Sequence, residues 1–384
     1  MRFETVLAQL DHYLDPVTGG LVPSIHPGVT HVIGALEPVA DAGSGGVATG
    51  YARSGNSGTL LIESLLARLD GGSGAAVFNA GIAAARSVLY SLAPGQHLLF
   101  DTQGYYEFGG MLDEFGSRWG VEVGYVDMCD PAAVREALRP GRTRLLWAEC
   151  PSNPTWRVPD ISALAALAHG VGARLLVDAT VATPLMCRPL ALGADLVLHS
   201  ATKYLNGHGD LTAGVLVTRN TDATWTRILD SRTSHGTVLP PLEAWLLLRG
   251  MRTLPLRFER ASRSALGLAE LLSKQPQVTS VYYPGLPDSA HHALARQQFS
   301  GGFGAMLSFE VAGGAEAALA VRDHARVFRR STSLASTESL IEHRRSTEGE
   351  RSNCPPALIR LSIGLEHPDD LAEDLLQALS CLQL

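Results

Sequence analysis

VDATVATPLMCRPLALGADLVLHSATKYLNGHGDLTAG, residues 177–214, is the stretch from which the fold can be read. An apolar run ends in Asp178, a second one at 194–199 leads into Ser200-Ala201-Thr202-Lys203, and a third follows at 213–218. Short apolar runs closed by polar residues, with Gly and Pro between them, read as buried strands of a parallel sheet. Ionisable side chains at the carboxyl ends of such strands stand where open α/β sheets bind ligands.

The same pattern extends in both directions. Strands are predicted at Gly74–Phe78, His97–Phe100, Val121–Val126, Arg144–Glu149, Arg174–Asp178, Ala194–His199 and Ala213–Thr218. Helices are predicted at Gly81–Leu92, Phe108–Trp119 and Ile161–His169, and residues 59–70 have helical apolar spacing that stops at Gly71-Gly72. This alternation predicts an α/β fold with a seven-stranded, mostly parallel sheet covered on both faces. Residues 1–45 lack strong periodicity and read as an extended arm packing on a neighbouring subunit. A cofactor-sized α/β domain then spans 46–240, up to the break at Pro240-Pro241. Residues 241–384 form a smaller C-terminal α+β domain. It opens with a helical stretch, Leu242 to Lys274, divided at Pro255, and has strands at Ala305–Val311 and Leu358–Ile363.

Composition narrows the function. The chain has 384 residues, 46% apolar and 18% charged, which suits two folded domains. Its 31 basic and 38 acidic residues leave a net charge of -7, so no nucleic-acid or anionic-membrane partner is expected. The basic residues Arg326 to Arg330 are interrupted by Val327 and Phe328. Five cysteines, none in a C-x-x-C pair, speak against a disulfide framework or a zinc site. His199 and His208 lack partners at metal spacing and read as structural, so no metal is expected. Met1 to Asp15 has no apolar core of a signal peptide, and no run approaches the roughly 20 apolar residues of a membrane span. A cytoplasmic location is expected.

Asp178 and Lys203 together suit pyridoxal 5′-phosphate (PLP). This cofactor needs an amine for a Schiff base, and a carboxylate that keeps its ring nitrogen protonated so that the ring acts as an electron sink. It also needs donors around its phosphate. Ser200 and Thr202 offer hydroxyls, and Gly81 and Ile82 open a helix after a strand, where backbone N–H groups and the helix dipole favour an anion. Each piece alone has an ordinary reading: a solvated lysine, a capping aspartate, a turn glycine. Their order on one α/β scaffold is far more specific.

The run GADLVLHSATKYLNGHGDLTAG (193–214) resembles the lysine motif of the PLP-dependent trans-sulfuration enzymes, the Cys/Met metabolism family. The resemblance extends through YARSGN (51–56), PSNP (151–154), LLLRGMRTL (246–254), YPGL (283–286), SLASTESL (333–340) and IRLSIGLE (359–366). It implies a fold-type-I PLP enzyme, with Lys203 as Schiff-base lysine and proton shuttle, Asp178 on the pyridinium and Tyr105 stacked on the ring. Gly81, Ile82, Ser200 and Thr202 would hold the phosphate, joined by Tyr51 and Arg53 from a neighbouring subunit. Arg360 would grip the substrate α-carboxylate, with Ser333 and Asn153 beside it. Shared sites imply at least a dimer, and a homotetramer built from two such dimers is expected.

The departures from the family pattern concern the substrate. Tyr106 replaces the usual Gly after Tyr105, and Glu107 follows where methionine γ-lyases have a cysteine. Burying Glu107 unpaired would be costly, so it is expected to meet solvent, an arginine or a polar substrate group. Thr332 stands where cystathionine-handling members have a glutamate, Ala335-Ser336 replaces Gly-Gly, and Thr347-Glu348-Gly349 replaces Met-Thr-His. The small-molecule substrate expected is a sulfur-containing or O-activated homoserine-type amino acid, undergoing γ-elimination or γ-replacement. A β-lyase acting on cysteine conjugates and a PLP-binding regulator with little activity are the alternatives.

Overall fold

The computed structural model describes residues 1–32, 51–349 and 352–382. Seven strands form the larger sheet: β1 (Gly74–Phe78), β2 (His97–Asp101), β3 (Glu122–Val126), β4 (Thr143–Glu149), β5 (Arg174–Asp178), β6 (Leu196–Ser200) and β7 (Gly214–Thr218). Their order is β1-β7-β6-β5-β4-β2-β3. Strands β2 to β6 pair in parallel, while β7 runs antiparallel to both of its neighbours, β1 and β6. The continuous apolar character of these strands follows from burial on both faces. In β4, Leu146 and Ala148 join the core on one face, while Leu145 and Trp147 join the core on the other.

A second sheet has the order β10-β11-β12-β9-β8. It comprises β8 (Val278–Tyr282), β9 (Met306–Val311), β10 (Arg329–Arg330), β11 (Leu340–His343) and β12 (Leu358–Ser362). Two helices, Pro241–Met251 and Leu254–Leu272, precede it. The predicted division at Pro255 holds: the proline sits in the first turn of the second helix, where no N–H is needed.

One expectation is corrected. Residues 1–45 read as an arm without periodicity, yet Phe3–Gln9 forms a helix, α1. Phe3, Val6, Leu7 and Leu10 recur at helical spacing, and Val6, Leu7 and Leu10 are buried in the main core. Seven residues are too few for a clear period in sequence, so tertiary burial decides this helix. Residues 33–45 of that arm lie outside the described residues. The helix α2 (Ser57–Asp70) starts with Asn56, whose side chain accepts from the Thr59 N–H while the Thr59 hydroxyl accepts from the Asn56 N–H, a reciprocal cap.

Candidate active site

The carboxyl ends of β1, β2, β4, β5 and β6 open on a cavity of about 340 Å³, closed from the other side by the smaller sheet. Asp178 ends β5, and Lys203 lies three residues beyond the end of β6. Lys203 Nζ donates to Ser333 Oγ at 2.7 Å, a contact from the larger sheet to the smaller one. Burial first, and then the charge of Arg360, push the Lys203 pKa down to about 8. The Asp178 carboxyl is buried, which raises its pKa, while the Thr180 N–H donates to its Oδ1 at 2.9 Å and His199 adds a favourable charge.

His199 sits behind this aspartate. Its Nε2 lies 3.0 Å from Asp70 Oδ2, and both side chains are buried. Burial opposes the imidazolium, but the Asp70 charge and hydrogen bond leave the pKa raised. His208 Nδ1 bonds to the Asn206 carbonyl at 2.7 Å. Among the described residues, no three His, Cys, Asp or Glu side chains gather as a metal site.

The helix α3 (Gly81–Leu89) points its first turn at the cavity, and no side chain caps it. Its free N–H groups form an anion cradle. Two glycines make room for it. A Cβ on Gly81 would come within 3.0 Å of Ser200 Oγ, and one on Gly214 within 2.3 Å of the Ala80 carbonyl oxygen. Ile82 is partly exposed at the same end. Ser200 receives its position from Thr180, whose hydroxyl accepts from the Ser200 N–H at 2.8 Å. The Thr202 hydroxyl donates to the Ala213 carbonyl and accepts from the Ala213 N–H, so giving a bond to a phosphate would exchange the first of these. An amine of lowered pKa, a buried carboxylate and an uncapped helix start around one cavity fit PLP.

At the opposite end, Arg360 is buried on β12. Its Nη1 donates to Asn153 Oδ1 at 3.2 Å and its Nη2 to the Ser333 carbonyl at 2.7 Å. Glu342, its cross-strand partner on β11, forms a buried ion pair with it. Desolvation lowers the Arg360 pKa to about 10. Tyr105 precedes the helix α4 (Tyr106–Trp119), with its ring 5.3 Å from that of Phe108, and burial raises its phenol pKa. Glu107 is exposed, accepting from the Tyr106 hydroxyl at 3.2 Å, so it meets solvent as expected. Thr332 and Ser333 form the exposed lip.

Tyr51 and Arg53 do not line the cavity of their own chain. Both are exposed, and the Arg53 guanidinium lies 5.3 Å from the centre of the Tyr51 ring. Three other residues were not singled out from the sequence. Glu149 ends β4 beside Asp178, buried; desolvation and then the Asp178 charge push its pKa well up. Its place at the end of an apolar strand, like that of Asp178, was the available signal. Glu342 and Arg344 are the others. The alternation of LIEHR marks a half-buried strand end but not which side chains face the cavity.

One cofactor uses a strand-end amine, a buried carboxylate and an anion cradle together, and the class defined is that of the PLP-dependent enzymes. Within that class, the chain belongs to the Cys/Met metabolism PLP-dependent enzyme family, whose model matches residues 4–380. It is 40% identical over 373 residues to a cystathionine gamma-synthase of Mycobacterium tuberculosis, covering 95% of this chain and 93% of that one. It is 39% identical over 382 residues to an L-methionine gamma-lyase of Pseudomonas putida, covering 96% of each. The solved structure of metB from Corynebacterium glutamicum superposes with a TM-score of 0.93 at 33% identity, covering 100% of this chain and 99% of that one.

Proposed function

We propose that this enzyme carries out γ-elimination or γ-replacement on a sulfur-containing or O-activated homoserine-type amino acid. The observation that carries this is the Lys203–Ser333–Arg360 path. A proton-moving amine and a carboxylate-gripping arginine face one cavity and meet at Ser333, through its hydroxyl and its carbonyl. The relatives named as a γ-synthase and a γ-lyase support the same position of bond cleavage.

PLP, when bound, supplies an electron sink for charge leaving the substrate α-carbon. Asp178 keeps the ring nitrogen protonated. Gly81, Ile82, Ser200 and Thr202 would hold the phosphate, and Tyr51 and Arg53 would complete that end from a neighbouring subunit. Arg360 takes the substrate α-carboxylate in a planar fork, held in place by Glu342 and Asn153. Tyr105 would cover the ring, and Ser333, Thr332 and Glu107 would line the substrate side. Lys203 Nζ, once free, would move the α-proton and then the β-proton, a task that burial assists by disfavouring its charged form. The γ-substituent would then leave, taking a proton; return of a proton to the γ-carbon and hydrolysis would give 2-oxobutyrate and ammonia, whereas addition of a thiol at the γ-carbon would give the replacement product.

The assembly we propose is a homotetramer of two site-sharing dimers. Leu14, Val17, Leu21, Val32 and Tyr51 are exposed apolar side chains in and beside the N-terminal segment, which suits a surface covered by a neighbour. We assign 46–240 to the cofactor domain, 241–384 to the domain that closes over the substrate, and, of residues 1–45, only the described part that follows α1 to the arm. Among the described residues no helix is long and apolar enough to cross a membrane. All five cysteines are free, which suits the reducing cytoplasm we assign.

Product analysis across methionine, cystathionine, O-acetylhomoserine and cysteine tests the chemistry. Release of 2-oxobutyrate, or a γ-substituted product when a thiol is supplied, is expected. Pyruvate as the sole product would move the reading to β-elimination, and a PLP-loaded protein inert to all four would support a regulator.

A further inference from the structure

His199, on β6, is a buried ionisable side chain that the chemistry above does not use. Along this strand Leu196 and Leu198 pack in the core on the α3 side, and Val197 packs in the core on the α2 side, so His199 turns towards α2. There it meets Asp70, the last residue of that helix, with Nε2 3.0 Å from Oδ2. The two side chains are 1% and 0% exposed. Asp70 Oδ1 has no hydrogen-bond partner among the described residues, so His199 is the group that holds this carboxylate.

Asp178 lies on the neighbouring strand and faces the other way. Its register partner on β6 is Leu198, the residue before His199. Leu176 belongs to the α3-side core, and Val177 and Ala179 to the α2-side core, which sends Asp178 to the cavity side of the sheet. The imidazole therefore stands between two buried carboxyl groups, Asp70 behind it and Asp178 in front. Neighbouring strands are about 4.8 Å apart, so a charge on the ring acts on Asp178 across one strand spacing, where water screens little. His199 Nδ1 is buried with no acceptor among the described residues, so the two carboxyl groups, rather than further hydrogen bonds, balance a charge on the ring.

The remaining groups around Asp178 put no positive charge at its back. Glu149, in register with it on β4, is a second buried carboxyl group. Lys203 lines the cavity in front and donates to Ser333, and the Thr180 N–H gives Asp178 a single hydrogen bond. Burial works against the Asp178 carboxylate, and His199 is the charge that favours it; burial likewise works against the imidazolium, which Asp70 and then Asp178 favour. We propose that Asp70 and His199 are positioning residues for the cofactor: the pair holds a positive charge behind Asp178 and keeps that side chain a carboxylate towards the ring nitrogen of PLP. This rests on the reading above that places Asp178 on that nitrogen.

Acid release of the cofactor tests this without turnover. The PLP-loaded enzyme is brought to a series of pH values below about 8 and desalted, and the PLP retained is read from its absorbance beside the far-ultraviolet circular dichroism of the same samples. Asp178 takes up a proton as pH falls, and removing a nearby positive charge raises the pH at which it does so. His199→Gln is therefore expected to raise the pH of half-retention by roughly half a unit to one unit. Asp70→Asn should move it the same way by less, because an imidazole without its carboxylate still gains a proton in acid. Near pH 8 both variants should hold PLP within about threefold of the unmodified enzyme. An unchanged midpoint in both variants overturns the proposal. So does a loss of PLP that is equal at every pH and follows the loss of helicity, since the pair is then a packing element only. Asp178→Asn separates the two readings: a retention profile like that of the unmodified enzyme would remove Asp178 from the ring nitrogen, and this inference with it, whereas an altered profile there with unmoved midpoints in His199→Gln and Asp70→Asn overturns this inference alone.

Discussion

At the cofactor end of the cavity, Asp178 and Ser200 hang from the last residues of β5 and β6, and Lys203 follows within one turn. At the substrate rim, Tyr106 comes from a helix start, Thr332 from a loop and Arg344 from a short helix. The first group is held by ladder registry: Asp178 pairs with Glu149 on one side and Leu198 on the other, so its direction is fixed by the sheet. The second group is held by side-chain pairing, with Glu342 and Glu348 on the arginines and a ring under one of them. A sheet edge can therefore keep one cofactor chemistry while the rim changes which molecule undergoes it.

That contrast predicts where substitutions act. The largest effect is expected at Arg360→Gln. It removes the carboxylate fork and strands the buried Glu342, so kcat/KM should fall by roughly a hundred- to a thousandfold, with PLP content unchanged. Loss of PLP instead would mean that the two ends are not separable.

Gly214→Ala should strike the other end. Its Cβ would sit 2.3 Å from the Ala80 carbonyl oxygen, so the start of α3 must move. PLP should dissociate at least about tenfold more readily on dialysis, following roughly 1–3 kcal/mol of overpacking.

Lys203 gives a smaller, pH-dependent effect in cofactor-free protein. Its folded pKa, about 8, lies below the usual 10.5, so the folded state binds fewer protons between those values. Holding the charged amine in the cavity therefore destabilises the fold below about pH 8, and this is relieved as pH rises toward 10.5. Lys203→Met should stabilise the cofactor-free protein at pH 7 by roughly 2 kcal/mol, less than the full shift implies because water still reaches Nζ. In denaturant melts the advantage should shrink between pH 8 and 10.5; a constant difference would contradict it.

The smallest effect is behind the lip, at a buried residue. Ala335 holds a φ of +66°, anchored by its N–H donating to Ser362 Oγ at 2.8 Å. Ala335→Gly should relax the left-handed strain and gain less than about 1 kcal/mol, since glycine returns part of it as chain entropy.

The same contrast explains what the sequence made legible. The strands β1 and β5 lie where the apolar runs place them, and the remaining large-sheet strands shift by at most two residues at either end. Each run is closed by residues that cannot continue it. That Lys203, Asp178 and Gly81 would line one cavity was readable because each lies at or just beyond a strand end. The helix α1 was not, because its Val6, Leu7 and Leu10 take their meaning from a surface remote in sequence. Arg344 was not, because nothing in HRRST distinguishes a cavity arginine from a solvated one until Glu342, Glu348 and Tyr106 converge on it. Glu149 could have been read, since it closes β4 as Asp178 closes β5.

The most direct test is the visible absorbance spectrum of the purified enzyme beside that of Lys203→Ala after both are incubated with PLP and passed through a desalting column. A visible band retained by the unmodified protein and missing from Lys203→Ala is the predicted result. An equal band in both, or none in either, would contradict the assignment of Lys203 as the residue that holds the cofactor.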